Sequence, residues 1–199
     1  MVCVVVGVSA AGINAAKTLR EIDKNIEIIL VSKDEYVYSR CILHHFLDGR
    51  RDMKSLDFTP ENFFKTYKIK WVKGVEVIGI DTNEKKLKLS NNEELSYDKV
   101  ILATGSSSFL PPIENLRSAN NVIGLRNLDD AIKIKEEVKK VKNVAILGAG
   151  LVGVDALAGL LDYGVNITLI EMGDRILPLQ LDKYAAGVYE ERLREEGVD

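Results

Sequence analysis

VAILGAGLVG, residues 144–153, decides the fold. An apolar run ends at Gly148, Gly150 and Gly153, then come a helix-like segment ALAGLLDY, the strand-like NITLI and Glu171. Each residue has a physical task in a dinucleotide-binding βαβ unit. Gly148 permits the tight turn, Gly150 lets the backbone approach a pyrophosphate, and Gly153 lets the helix pack against the strand. The helix N-terminus offers its free N–H groups to the anion. Glu171, closing the second strand, is placed to accept hydrogen bonds from an adenosine ribose, which favours NAD over NADP.

The N-terminus repeats the pattern in weaker form. The strand VCVVV leads into Gly7-Val8-Ser9-Ala10-Ala11-Gly12, a helix through about Leu19 and the strand IEIILV. Ser9 replaces the middle glycine, and its Cβ crowds a pyrophosphate. Ser32 stands where the terminal acid is expected, with Asp34 and Glu35 just beyond. A hydroxyl bonds a ribose more weakly than a carboxylate.

Between the two fingerprints lie a polar and aromatic loop at 33–40, the helix-spaced CILHHFL, a basic turn GRRDMK where a ligand could be contacted, and a helix around Pro60 to Tyr67 with a start signal at Thr59-Pro60-Glu61. From Trp71 the pattern becomes strands: VEVIGID, KLKLS, a turn at Asn91-Asn92, and ELSYDKVILATG, which alternates and then turns wholly apolar. This reads as a β-meander feeding a buried parallel strand. Pro111 and Pro112 mark an interdomain linker, and residues 127–142 form an amphipathic helix with Ile132, Ile134, Val138 and Val141 near one face. After Val144 only two strands are visible, and EERLREEGVD is a helix that should lead into a third. The expected fold is α/β, with two Rossmann-like dinucleotide-binding units, the first three-layered with a β-meander and the second truncated. The expected domains are 1–112 and an incomplete 127–199, joined by a linker at 113–126.

Composition narrows the function classes. The 199 residues are 46% apolar, enough for a sizeable core, and the net charge of −3 with interspersed Lys and Arg argues against nucleic acid. No apolar run reaches membrane-span length, and VCVVV lacks a signal sequence's basic leader, so a cytoplasmic protein is expected. Cys3 and Cys41 are too few for a disulfide scaffold. No metal site is expected.

Six stretches in order, VVVGVSAAG at 4–12, YSRCILHHFLDG at 38–49, VILATGSSSFLPP at 100–112, LRNLDDA at 125–131, ILGAGLVGVD at 146–155 and IEMGDRILPLQLD at 170–182, make the chain resemble the flavin-dependent pyridine nucleotide-disulfide oxidoreductases. The likeness is to their single-cysteine branch, which includes NADH oxidases, coenzyme A-disulfide reductases and the nitrite reductase flavin subunit. It implies an FAD site at Gly7, Ser9, Ala10, Ala11, Gly12, Ser32 and Lys33, with Arg40, Cys41, Val77, Ala103, Thr104, Gly105 and Arg126 nearer the flavin. It implies an NADH site at Gly148, Gly150, Leu151, Val152, Gly153, Asp155 and Glu171. Cys41 is then the candidate redox sulfur, its thiolate favoured by the helix it precedes and by His44 and His45 when protonated. The other readings are a packing cysteine without chemistry and two neighbouring histidines without function. Cys3 is core, and the absence of CxxxxC excludes two-cysteine chemistry.

Two departures matter. Ala10 stands where the oxidases and peroxidases resembling this chain carry a histidine, which leans the acceptor toward a disulfide, a persulfide or a one-electron carrier. Asp155 replaces the usual glutamate, so any contact with nicotinamide needs a closer approach. The resemblance thus implies an NADH-dependent FAD oxidoreductase that reduces a small disulfide or persulfide through Cys41, with a homo-oligomer as a candidate assembly. The alternatives are a reductase of a small electron-transfer protein, such as a rubredoxin or a nitrite reductase partner, with Cys41 silent, and an inactive nucleotide-binding fragment.

Overall fold

Val2–Val6 (β1) follows a run of β-branched residues, and such side chains suit a sheet buried on both faces. In the computed structural model, which describes residues 1–199, β1 pairs in parallel with Glu27–Ser32 (β2) on one side and Lys99–Leu102 (β7) on the other. Ile69–Lys73 (β3) extends the sheet beyond β2, giving the order β3-β2-β1-β7. Successive β1 side chains point to opposite faces and enter two separate cores. Cys3 and Val5 meet Ile13 and Ala16 of the helix Ala10–Ile22 (α1) and Phe63 of Phe63–Thr66 (α3). Val4 and Val6 meet Leu87 and Leu89 of an antiparallel meander, Val77–Asp81 (β4), Lys86–Leu89 (β5) and Glu94–Ser96 (β6). Helices, parallel sheet and meander form the three layers the sequence implied.

Local departures have local causes. The alternating and apolar halves of ELSYDKVILATG become two strands in two sheets, β6 and β7. Strand β3 begins before Trp71, where Lys70 and Lys73 break up the apolar pattern. The helix expected from Pro60 to Tyr67 is the single turn α3, because Asn62 takes a left-handed conformation (φ 59°) just before it. Arg20, buried on α1, ties the helix end to the turn ahead of β3: Nε donates to the Tyr67 carbonyl at 2.9 Å and Nη1 to that of Lys24 at 2.9 Å.

By spatial contact the chain forms two compact units that do not follow its order. One comprises 1–39 and 55–106, the other 40–54 and 107–199. In the second, Asn143–Leu147 (β8) pairs in parallel with Asn166–Ile170 (β9). Its helices are Leu43–Leu47 (α2), Leu128–Glu137 (α4), Leu151–Leu160 (α5) and Lys183–Glu195 (α6). Leu128 and Ala131 are the inner residues of α4, together with Val138 in the 3₁₀ turn that follows, while Val141 is exposed. The Asp199 N–H donates to the Ile167 carbonyl and the Leu169 N–H to that of Asp199, beside β9. No helix is long and apolar enough to cross a membrane.

Segment 40–54 is fastened to α5. A Cβ on Gly159 would press on Leu47 and the His44 carbonyl, so α2 lies almost against the α5 backbone there. The Tyr163 hydroxyl donates to the Leu47 carbonyl at 2.6 Å, and Lys135 of α4 donates to that of Phe46 at 2.8 Å.

Candidate functional site

The two glycine turns share one backbone plan. Gly7 and Gly148 have φ of 111° and 98°, the region that favours glycine, and each donates its N–H across to the neighbouring strand, at Val31 and Ile170, at 2.8 Å. A Cβ on Gly12 would fall well inside contact distance of the Gly7 carbonyl oxygen, and one on Gly153 would do the same to Gly148. The third glycine of each fingerprint is therefore dictated by the approach of helix to turn. At the middle position Ser9 and Gly150 are both N-caps with extended backbone.

What these helix starts lack is equally informative. Helix α6 is capped by Asp182, which accepts from the Ala185 N–H at 2.8 Å. At α4 the Asp130 carboxylate accepts from the N–H groups of Asn127 and Arg126, each at 2.9 Å. Neither α1 nor α5 has a side-chain cap or an acid in its first turn. Their first N–H groups have no partner within the helix, which fits a cradle for a bound anion. Space beside Gly150 is open, since a Cβ there would touch nothing within 4 Å. Ala10 and Ala11 lie exposed on the first turn of α1, and Leu151 and Val152 do so on α5.

Glu171 sits beside the second turn. Its two carboxylate oxygens accept from the N–H groups of Gly173 and Ala149, both at 2.8 Å, and these bonds hold the carboxyl below the usual 4.5. The Ala149 carbonyl accepts from the Leu177 N–H at 2.8 Å, so the whole Ala149 peptide is braced by the 170–182 loop. An ionised Glu171 with further lone pairs is suited to ribose hydroxyls and opposed to a 2′-phosphate.

The corresponding position in the first unit differs. Ser32 is buried; its hydroxyl donates to the Asp34 carbonyl at 2.7 Å and accepts from the Trp71 indole at 2.9 Å. The single proton is committed, and only an acceptor site is left for a ribose. Lys33 is exposed beside it. Ala103 anchors the β7 end through its N–H to Val6 at 2.8 Å, and Thr104 and Gly105 follow it exposed, with Gly105 at φ 71°. Val77 is half-buried at the start of β4. The close-approach glycines, the uncapped α1 and the small-residue turn at 103–105 together fit the diphosphate and ring of an FAD.

Cys41 is a free, exposed thiol in the single turn Arg40–Ile42, in the second unit. The helix that follows has five residues, so it supplies Cys41 with far less dipole than a long helix would. The histidines are less exposed than a surface helix implies, with 15% of the His44 side chain and 27% of that of His45 accessible. Burial opposes the charge of Asp48, yet hydrogen bonds from Arg50 hold its carboxyl below the ordinary range. His45 Nδ1 lies 3.5 Å from that carboxylate.

One contact was invisible in sequence. His44 Nδ1 stands 3.7 Å from Asp155 Oδ2, joining α2 to the second turn of α5. The pair lines a small cavity of about 40 Å³ with Arg40, Leu43, Leu125, Arg126 and Val152. Of these, Leu43, His44 and Leu125 carry no binding signal in the sequence. The spacing of CILHHFL signals a helix but not the element it meets.

Comparison with known proteins finds relatives along the whole chain. The family model for pyridine nucleotide-disulphide oxidoreductases matches residues 1–199. An NADH oxidase of Methanocaldococcus jannaschii is 32% identical over 209 residues, covering 100% of this chain and 46% of that protein. A rubredoxin-NAD(+) reductase of Pseudomonas putida is 30% identical over 200 residues, covering 100% and 52%. The solved structure of an NAD-dependent persulfide reductase from A. fulgidus superposes with a TM-score of 0.89 at 32% identity, covering 100% of this chain and 39% of that one. The chain spans about half the length of these curated relatives.

Proposed function

The chain belongs to the pyridine nucleotide-disulphide oxidoreductase family, and from that premise we propose that it carries the FAD- and NADH-binding parts of an oxidoreductase acting on a small disulfide or persulfide through Cys41. FAD, when bound, accepts hydride from NADH and passes on two electrons. The uncapped start of α1 would hold the FAD diphosphate, and Ala103, Thr104 and Gly105 would border its ring. On the second unit the start of α5 would hold the NADH diphosphate, Glu171 the adenosine ribose, and Asp155 would contact the nicotinamide.

In the acceptor step Cys41 Sγ attacks one sulfur of the disulfide. The S–S bond breaks, the departing sulfur leaves as a thiol after taking a proton, and Cys41 remains in a mixed disulfide. Two electrons and two protons, the equivalent of NADH and one solvent proton, then restore the Cys41 thiol and release the second product as a thiol. The observation that carries this reading is the exposed free thiol of Cys41 in a chain matched along its whole length by a redox family. A disulfide exchange needs an accessible sulfur.

Cys41→Ser is the test. It should abolish NADH-driven reduction of a disulfide or persulfide while leaving bleaching of the flavin absorption by NADH intact; undiminished disulfide turnover would overturn the role of the sulfur. The resemblance to a rubredoxin-NAD(+) reductase supports a second reading, in which electrons pass to a small electron carrier and the same substitution leaves that transfer unchanged. A purified chain that holds no flavin and shows no bleaching would favour a nucleotide-binding fragment without turnover.

A further inference from the structure

The contact between His44 and Asp155 is unequal. With 15% of its side chain accessible, His44 is largely enclosed, whereas Asp155, at 44%, remains open to a ligand. At 3.7 Å the two are adjacent without yet forming a short hydrogen bond. Burial pushes the His44 imidazole below its ordinary 6.5, and His45 and Arg50 push the same way, while Asp155 and Asp48 oppose them. Near neutral pH His44 is uncharged, and the Asp155 charge is not offset by it.

We propose that His44 is a positioning residue for Asp155: it sets how much negative charge the carboxylate presents to the nicotinamide, and so how strongly the oxidised ring is held relative to the reduced one. The inference rests on the placement of Asp155 at the nicotinamide given above. The oxidised ring carries a positive charge that the reduced ring lacks. With His44 neutral, Asp155 favours the oxidised ring. With His44 protonated, the imidazolium draws the carboxylate into a charge-assisted pair and that preference is lost.

The surroundings single out His44 as the group that changes. Arg40 and Arg126 line the same cavity. Asp48 is tied to Arg50 at 2.6 Å, and Asp162 also acts on Arg50. From α4, Lys135 is committed to the Phe46 carbonyl. Cys41 lies exposed on the turn before α2. His45, whose ring centroid is 4.0 Å from that of His44, is the other imidazole and needs its own control.

The experiment measures NAD⁺ and NADH dissociation constants of the full chain from pH 5.0 to 7.5, alongside NMR titration of the labelled histidines. NAD⁺ affinity should fall about tenfold toward pH 5.0 while NADH affinity changes less than about twofold. His44→Gln should flatten the NAD⁺ profile, His45→Gln should keep it, and Asp155→Asn should move the His44 midpoint to still lower pH. A profile unaffected by His44→Gln, or a His44 midpoint unmoved by Asp155→Asn, would overturn the proposal alone. Saturable binding of neither nucleotide at any pH would instead overturn the nucleotide assignment and this inference with it.

Discussion

Ser9 and Gly150 hold the same station in the two turns, with φ/ψ of −82°/−176° and −77°/−175°, yet their neighbours obey different constraints. Strand β1 is paired on both sides, so a Cβ on Gly7 would drive into the Ala103 carbonyl oxygen at the end of β7. Strand β8 is paired on one side, and a Cβ on Gly148 would meet nothing within 4 Å. In the first turn the sheet itself requires glycine. In the second only the dihedral angle does, and the space beside the middle glycine is open.

The largest effect that can break this contrast is on stability. Gly7→Ala should cost at least about 3 kcal/mol, combining backbone strain with a steric clash, whereas Gly148→Ala should cost about 1–2 kcal/mol from strain alone. Denaturant unfolding measures both, and equal losses would refute the explanation from β7. A smaller effect separates ligand from fold at the middle station. Gly150→Ser should leave stability within about 0.5 kcal/mol, because the backbone is extended and the space is open, while weakening NADH binding roughly tenfold. Unchanged affinity would show that the pyrophosphate does not approach there.

The smallest effect concerns the acid of the second turn. Glu171 has a carboxyl held below 4.5, so its ionised form stabilises the fold above that pH, and the contribution is lost as pH falls through the lowered value. Glu171→Gln should therefore be less stable than the parent at pH 7 and converge with it in acid. A constant difference across an acid titration would mean that the charge is not what the two N–H groups recognise.

Much of this is legible in the sequence, because close approach and positive φ leave their mark as glycine at fixed spacing, and alternation marks the meander. Strand β3 was obscured by its two lysines. The depth of Ser32 in the Trp71 contact was also hidden, since nothing adjacent to Ser32 in the sequence announces a partner from β3. The pairing of His44 with Asp155 was illegible for the same reason, as it depends on how α2 settles onto Gly159. Local rules fix turns and periods, whereas long-range packing chooses which faces meet.

The excursion of residues 40–54 onto the second unit limits how this molecule can be divided. A protein engineer who cut the gene once, near the proline pair, to obtain the C-terminal half would leave that half without the strap that covers Gly159 and satisfies the Tyr163 hydroxyl. A self-sufficient version has to import the strap by grafting or circular permutation, and it would carry the thiol with it.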